Sequence, residues 1–496
     1  MKDLALLSHE WLVVALGLGV LLADLWLPPH AKRKLGYVAA LGLGAILLYS
    51  VFIFKHPAPD APQYAFGGMY ALDSLAMFFK WFFLVATIIV LLMSVEFADR
   101  LESGIGEFYA LILFALTGML FASSANNFAL LFVSLELITV TFYVLTSFER
   151  QRVTSLEAGV KYLIIGALST GFTVFGIALV YGISGKLDFK ELASVAAQHA
   201  QNKIFLFGLV CVLAGLGFKI AAFPFQFWAP DVYQGSPTPT TAFLAIGSKA
   251  AGFALVLRVL FIAVPDITAQ WTNLLIILSG ITILYGNLCA IPQRNVKRLL
   301  GYSSISHAGY MLLGVAALAS GIAKITPDAT AGGSAVLFYL SGYLFTVLGA
   351  FTVICVVMRQ ADGEDIKALA GLSQRSPMLA ATMTLAMVSL AGIPPLAGFF
   401  GKFLLLKSVL AEAPLRPGYY CLTFTALAGV VISLYYYLGV VRAIYWSKDP
   451  ADLSPIRISM PIRVGLCVCV AGMLFLGICP GPLWNLTAEA AKALKF

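Results

Sequence analysis

An all-α polytopic membrane fold is predicted by three features of the 496-residue chain: 60% of its residues are hydrophobic, only 11% are charged, and its apolar runs are long and do not alternate. Soluble domains carry roughly 45–50% apolar and about 25% charged residues, so a mean hydropathy of +0.92 belongs to a chain solvated by lipid. A helix needs about 20 apolar residues to cross a bilayer, and its backbone polar groups must be satisfied internally. A barrel would show alternation over segments of about ten residues instead.

Read in order, the runs give about fourteen spans, near residues 10–27, 35–54, 71–95, 107–123, 126–147, 159–183, 203–228, 240–263, 272–291, 298–319, 333–358, 377–411, 419–444 and 461–483. The first run precedes the basic stretch "HAKRK" and no small-residue cleavage site follows, so it reads as a retained helix. The connection over 185–202 is long enough for a short amphipathic surface helix. One set of alternate loops, including Lys32, Arg33, Arg150, Arg152, Lys297 and Arg298, carries sixteen Lys and Arg against nine on the other side. The positive-inside rule makes the richer side cytoplasmic and places both termini outside. This bias and the intramembrane lysines account for the net charge of +8, and no nucleic-acid partner is implied. The seven cysteines form no C-x-x-C pair, so neither zinc nor an iron–sulfur cluster is expected, and buried, inert thiols are the default reading.

The seventh and twelfth spans are longer than one crossing and interrupted. They read "GFKIAAFPFQFWAP" (217–230) and "LAGIPPLAGFFGKF" (390–403). Proline removes an amide donor and clashes with the preceding turn, so carbonyls freed at Pro224 and at Pro394 and Pro395 must face protein or water. Broken helices in corresponding positions mark inverted-repeat transporters with an ion site near the midplane. Two breaks five spans apart fit a five-helix repeat whose second copy is inverted. Lys219 precedes Pro224 whereas Lys402 follows Pro394 and Pro395, an opposite order that inversion is expected to produce.

A charge at the centre of a span costs roughly 2.5–3.5 kcal/mol, so such residues are usually functional. Four stand out: Glu136 in "FALLFVSLELITVTFYVL", Lys219 and Lys402 beside the breaks, and Lys249 in "TAFLAIGSKAAGFALVL". A buried lysine has a movable proton, released by desolvation and held by a nearby carboxylate. Glu136, read as the only acid near mid-span, is the natural counter-charge for Lys219. Glu136, Thr139 and Tyr143 share one helical face, as do Ser303, His307 and Tyr310, and His307 titrates nearest neutrality. The alternatives are a structural ion pair for Glu136, snorkelling for the three lysines, and a helix–helix hydrogen bond for His307. Lys80 and Arg258 lie nearer span ends, where snorkelling is the better account.

The stretches "GFKIAAFPFQFWAPDVYQGSPTPTTAFLAIGSKAAGFAL", "PQRNVKRLLGYSSISHAGYMLLG" and "LAGIPPLAGFFGKF" resemble the subunit-N family of proton-pumping NADH:quinone oxidoreductase, the bacterial respiratory complex I. Its relatives include two sister antiporter-like subunits and subunits of multi-subunit Na⁺/H⁺ antiporters. The resemblance covers essentially the whole chain. It implies one membrane domain over 1–496: helices one to three in 1–100, a first repeat of helices four to eight in 105–263, an inverted second repeat of helices nine to thirteen in 270–445, and a last helix in 460–485. It carries over a proton relay of Glu136, Lys219, Lys249 and Lys402, with His307 matching a common histidine. A lysine rather than a glutamate at 402 favours this branch over one sister, and the short end after the last span argues against the sister with a long lateral helix. The implied function is proton translocation driven by quinone reduction in partner subunits, with the antiporter as the alternative. No cofactor is expected in this chain, since flavin, iron–sulfur clusters and quinone belong to partners. The expected partners are other membrane-arm subunits and the bilayer of a bacterial inner membrane.

Overall fold

The computed structural model describes all residues except Met1, 57–60, 102, 323–329, 361–362, 447–452 and 495–496. Among the described residues twelve helices are long and apolar enough to cross a membrane: α1 Ser8–Trp26, α2 Leu35–Phe52, α3 Ser74–Phe97, α4 Ile105–Ser123, α5 Phe128–Thr146, α6 Val153–Ser184 and α7 Lys203–Ile220, then α9 Thr238–Ala263, α10 Thr272–Ala290, α12 Ala331–Val357, α15 Gly418–Trp446 and α16 Met460–Ile478. The remaining expected spans are helical as well. One is α11 (Val296–Ile322); the other is the interrupted pair α13 (Pro377–Ala391) and α14 (Ala397–Glu412). The seventh span is interrupted too, since α7 stops at Ile220 and α8 (Trp228–Gly235) resumes after a turn.

Local chemistry sets many of the ends. Asp73 and Asn127 cap α3 and α5 by accepting from Ala76 N and Ala129 N, at 2.7 and 2.8 Å, and Asn202 caps α7. These side chains satisfy amides that a first turn leaves orphaned. Gly392 ends α13 at φ +86°, where only glycine is unstrained. Ala221 ends α7 at φ +56°, a conformation that costs a residue with a Cβ about 1–2 kcal/mol.

Several details differ from the sequence expectation. A small antiparallel hairpin, β1 (Gln63–Ala65) with β2 (Tyr70–Leu72), occupies the start of the expected third span. The last span closes at Ile478, and a separate short helix, α17 (Gly481–Lys492), turns back onto the body, where Ser74 Oγ donates to Glu489 O at 3.3 Å. The connection over 185–202 does hold a short amphipathic helix, Phe189–Ala196. Cys421, Cys467 and Cys479 are exposed on the surface of the chain rather than buried. Lys80 and Arg258 are a larger correction. Neither snorkels: both are fully buried, paired with Glu10 and Asp73, acids that are distant in sequence.

Two junctions share one pattern. Asn127, opening α5, bridges Asp188 of "DFKELA", and Asn295, just before α11, bridges Asp365 of "DIKALA". The breaks match likewise, as "KIAAFP" (219–224) against "SLAGIP" (389–394). A two-fold rotation in the membrane plane preserves the order of residues along the chain. The opposite lysine–proline order is therefore not a mark of inversion. In the packed body, α9 and α12 are almost wholly buried, whereas α6 is mostly exposed along its aliphatic side.

Candidate functional site

Lys219 occupies the last turn of α7, and its ammonium is buried. It donates to Thr139 Oγ1 of α5 at 2.6 Å and to Tyr162 OH of α6 at 3.4 Å. Thr139 in turn donates to Leu135 O. The break shields this site: Trp228, at the start of α8, packs on Tyr162 and donates from its indole to Phe218 O at 2.9 Å. Glu136 lines the same cleft as Lys219, together with Ser169, Thr170 and Thr173. Its carboxylate takes a hydrogen bond from Thr170 at 2.7 Å, not from the lysine. The expected counter-charge is thus in the pocket without being bonded to Lys219. Tyr143, predicted on the same face, is stacked edge-on against Tyr162, and its hydroxyl is unpartnered. Gly166 of α6 admits that hydroxyl, since a Cβ there would meet it at 2.1 Å.

Lys249 lies in the middle of buried α9, directly after a π-helical turn over Leu244–Ser248. Such turns insert an extra residue and re-aim the side chains that follow. Its ammonium reaches α11, donating to Ser304 O at 2.6 Å and to the Ser304 hydroxyl. That hydroxyl is 2.9 Å from Tyr233 OH of α8. Ser248, the residue before Lys249, sits beside Tyr162, and its own hydroxyl is unpartnered.

The second half continues the line. His307 bonds Tyr339 of α12 and Tyr437 of α15, the latter at 3.0 Å, and Tyr437 also bonds Ser303. Tyr310 packs beneath Lys402, whose Nζ lies 4.9 Å from the ring centroid. Lys402 itself reaches back from α14 across the break and donates to Leu390 O at 2.7 Å and Ala391 O at 3.2 Å. These are carbonyls at the end of α13, so the ammonium uses the acceptors the break frees. Pro224, Pro394 and Pro395 all lie in the two turns that make these openings.

The five expected site residues therefore follow one another in the order Glu136, half-buried in its cleft, then Lys219, Lys249, His307 and Lys402, all four buried. The hydroxyls that join them, Tyr162, Thr170, Tyr233, Ser304, Tyr339 and Tyr437, were not singled out from sequence. Nothing local distinguishes them, because each meets its partner across a helix–helix contact. Among the described residues no group of three or more His, Cys, Asp or Glu side chains gathers as a metal site.

Comparison with known proteins places this arrangement. Residues 125–429 match the family described as NADH:quinone oxidoreductase/Mrp antiporter, transmembrane. NADH-quinone oxidoreductase subunit N of Moorella thermoacetica is 39% identical over 99% of both chains. A chain of respiratory complex I from Thermus thermophilus superimposes with a TM-score of 0.78 at 32% identity, covering 96% of this chain and 99% of that one. A chain of the Mrp complex from Dietzia shares the fold, with a TM-score of 0.79 at 18% identity and covering 98% of this chain and 97% of that one. The chain belongs to the NADH:quinone oxidoreductase/Mrp antiporter family, among its subunit-N relatives.

Proposed function

We propose that the chain is a proton-translocating module in the membrane arm of a bacterial NADH:quinone oxidoreductase. The observation that carries this is the set of three buried lysines, each hydrogen-bonded to a hydroxyl or carbonyl at a helix break or π turn. None of the three is bonded to a carboxylate among the described residues, so no direct ion pair locks its proton in place. Kinship supports the assignment to the oxidoreductase, since the subunit-N relatives match end to end, whereas the Mrp chain shares the fold alone.

The chain translocates protons as one part of the assembly, and its partners are the other membrane-arm subunits, including sister antiporter-like ones. Quinone reduction, with its flavin and iron–sulfur clusters, takes place in those partners. Charge rearrangement there alters the balance between Glu136 and Lys219 and passes through Lys249, with His307 and its tyrosines, to Lys402. Moving one charge against 100 mV costs about 2.3 kcal/mol, and a roughly hundredfold change in one lysine's proton affinity covers it. We read residues 105–263 and 270–445 as inverted copies, on the support of the matched bridges and breaks. The chain lies in the cell inner membrane, and the Lys and Arg bias puts the termini on the outer face. Cysteine labelling at positions 32 and 457 tests that orientation: both should react from the cytoplasmic side.

The test of the function is Lys219→Ala in the assembled complex. Fewer protons per electron are expected; an unchanged ratio would sink the proposal. A Na⁺-dependent pH gradient with no NADH activity in the purified complex would favour the antiporter reading.

A further inference from the structure

A second buried charge cluster lies outside the lysine course, between the ends of α1, α3, α4 and α9. It is on the side of the membrane where α17 and the N-terminal segment meet β1 and α3, some nine residues along α9 from Lys249, or roughly 13 Å at the helical rise. Lys80 and Arg258 are both 0% exposed, Glu10 and Tyr70 1%. The Lys80 ammonium donates to the Glu10 carboxylate and, at 2.9 Å, to Tyr70 OH, which itself lies 3.2 Å from the same Glu10 oxygen. Arg258 donates to Asp73 at 2.9 Å and to Ser123 O at 2.7 Å, and both it and Asp73 are near enough to act on Lys80.

Several polar atoms here lack partners: Glu10 Oε2, Arg258 Nη1, Ser124 Oγ and His9 Nδ1. A buried polar atom left unpaired costs about 1–3 kcal/mol, more when charged. Water is the ligand that fits, because it satisfies donors and acceptors together and needs two to four polar partners. A cation is opposed by Lys80 and Arg258, an anion by Glu10 and Asp73. A polar file leads outward: His9 Nε2 bonds Ser50 Oγ at 2.8 Å, Trp81 Nε1 donates to the same oxygen at 2.9 Å, and the Trp81 ring meets exposed His56 at 5.2 Å.

We propose that Glu10, Lys80 and Tyr70 form a hydrated proton-binding site on the face of the membrane that carries the termini. The proposal rests on the proton-translocation reading and locates a release step within it. A proton arriving at Glu10 Oε2 makes the carboxylic acid, and Lys80, deprived of its counter-charge, gives one proton to water beside His9. The acid then returns its proton to the neutral amine through the Tyr70 hydroxyl, restoring the ion pair. One proton enters, one leaves, and the site is unchanged.

The experiment compares Tyr70→Phe and the double variant Glu10→Met/Lys80→Met in assembled complex in proteoliposomes, reading protons moved per electron. Replacing both members of a buried ion pair by apolar residues is often neutral for stability, so a pair that only fastens α1 to α3 leaves the ratio intact. The expected result is a loss of protons per electron in both variants, with the ion pair of Tyr70→Phe retained. A full ratio in Tyr70→Phe overturns the proposal, and this variant decides alone if the double variant does not assemble. Lys219→Ala serves as the reference. If it lowers the ratio and Tyr70→Phe does not, only the release site falls; if neither lowers it, the translocation reading falls as well.

Discussion

Lys219 and Glu136 share one cleft but not a bond: the lysine donates to Thr139 at 2.6 Å, and the glutamate accepts from Thr170 at 2.7 Å. Two threonines thus stand in for the direct ion pair, and the separation they set governs how strongly the carboxylate holds the lysine's proton. A hydrogen bond to a charged group contributes about 1.5–3 kcal/mol, so Thr139→Val should slow proton pumping by roughly tenfold or more. Thr139→Ser keeps the hydroxyl and should restore most of the rate. Pumping initial rates in proteoliposomes provide the check, and equal rates for the valine and serine variants would show that the hydroxyl is idle.

At the centre of the course, Lys249 holds both the carbonyl and the hydroxyl of Ser304. Ser304→Ala removes the hydroxyl, and with it the link to Tyr233, but leaves the carbonyl. A partial loss is expected, about 1 kcal/mol or roughly fivefold in pumping rate, whereas Lys249→Met should abolish pumping. The graded pair distinguishes a proton-carrying hydroxyl from a purely structural one, for which Ser304→Ala would pump at the parent rate.

The twelfth-span break depends on one glycine. Gly392 has φ +86°, and a Cβ there would lie 2.9 Å from Lys402 Cδ, so Gly392→Ala forces both a strained backbone and a displaced lysine. A loss of at least 1–2 kcal/mol is expected, seen as a lower thermal midpoint of the complex and slower pumping. Gly44→Ala is the control, because nothing lies within 4 Å of a Cβ there. In a helix interior that change should be neutral or stabilise by up to about 1 kcal/mol.

On the opposite face, Glu364 binds Arg152 at 2.7 Å and Lys297 at 3.0 Å, joining the loop before α6 to the first turn of α11. Burial pushes its carboxyl up, but Lys297 and Arg152 outweigh this and hold it below the usual carboxylate range. A carboxylate so lowered adds stability that is complete above its unfolded value, about pH 4.3, and is lost as pH falls through the lower folded value. Glu364→Gln should therefore lower the thermal midpoint at neutral pH, and the gap to the parent should close as the pH drops below about 4. A gap independent of pH would mean that the ion pairs contribute nothing.

Much of this molecule is local and was therefore legible in the sequence. Hydrophobic length fixed where the spans lie, and proline and glycine fixed where two of them break. The cost of a charge in lipid singled out Glu136, Lys219, Lys249 and Lys402. Each of those inferences needs only a residue and its neighbours in the chain. What only the tertiary structure decided is which oxygen each charge meets. Lys80 and Arg258 look like snorkelling residues until Glu10 and Asp73 arrive from elsewhere in the chain, and Tyr162 or Tyr437 is one tyrosine among 20 until it faces a lysine or a histidine. Helices in lipid have no hydrophobic force to choose their neighbours. Close packing and buried hydrogen bonds choose them, and those are properties of pairs of helices that no single stretch of sequence contains.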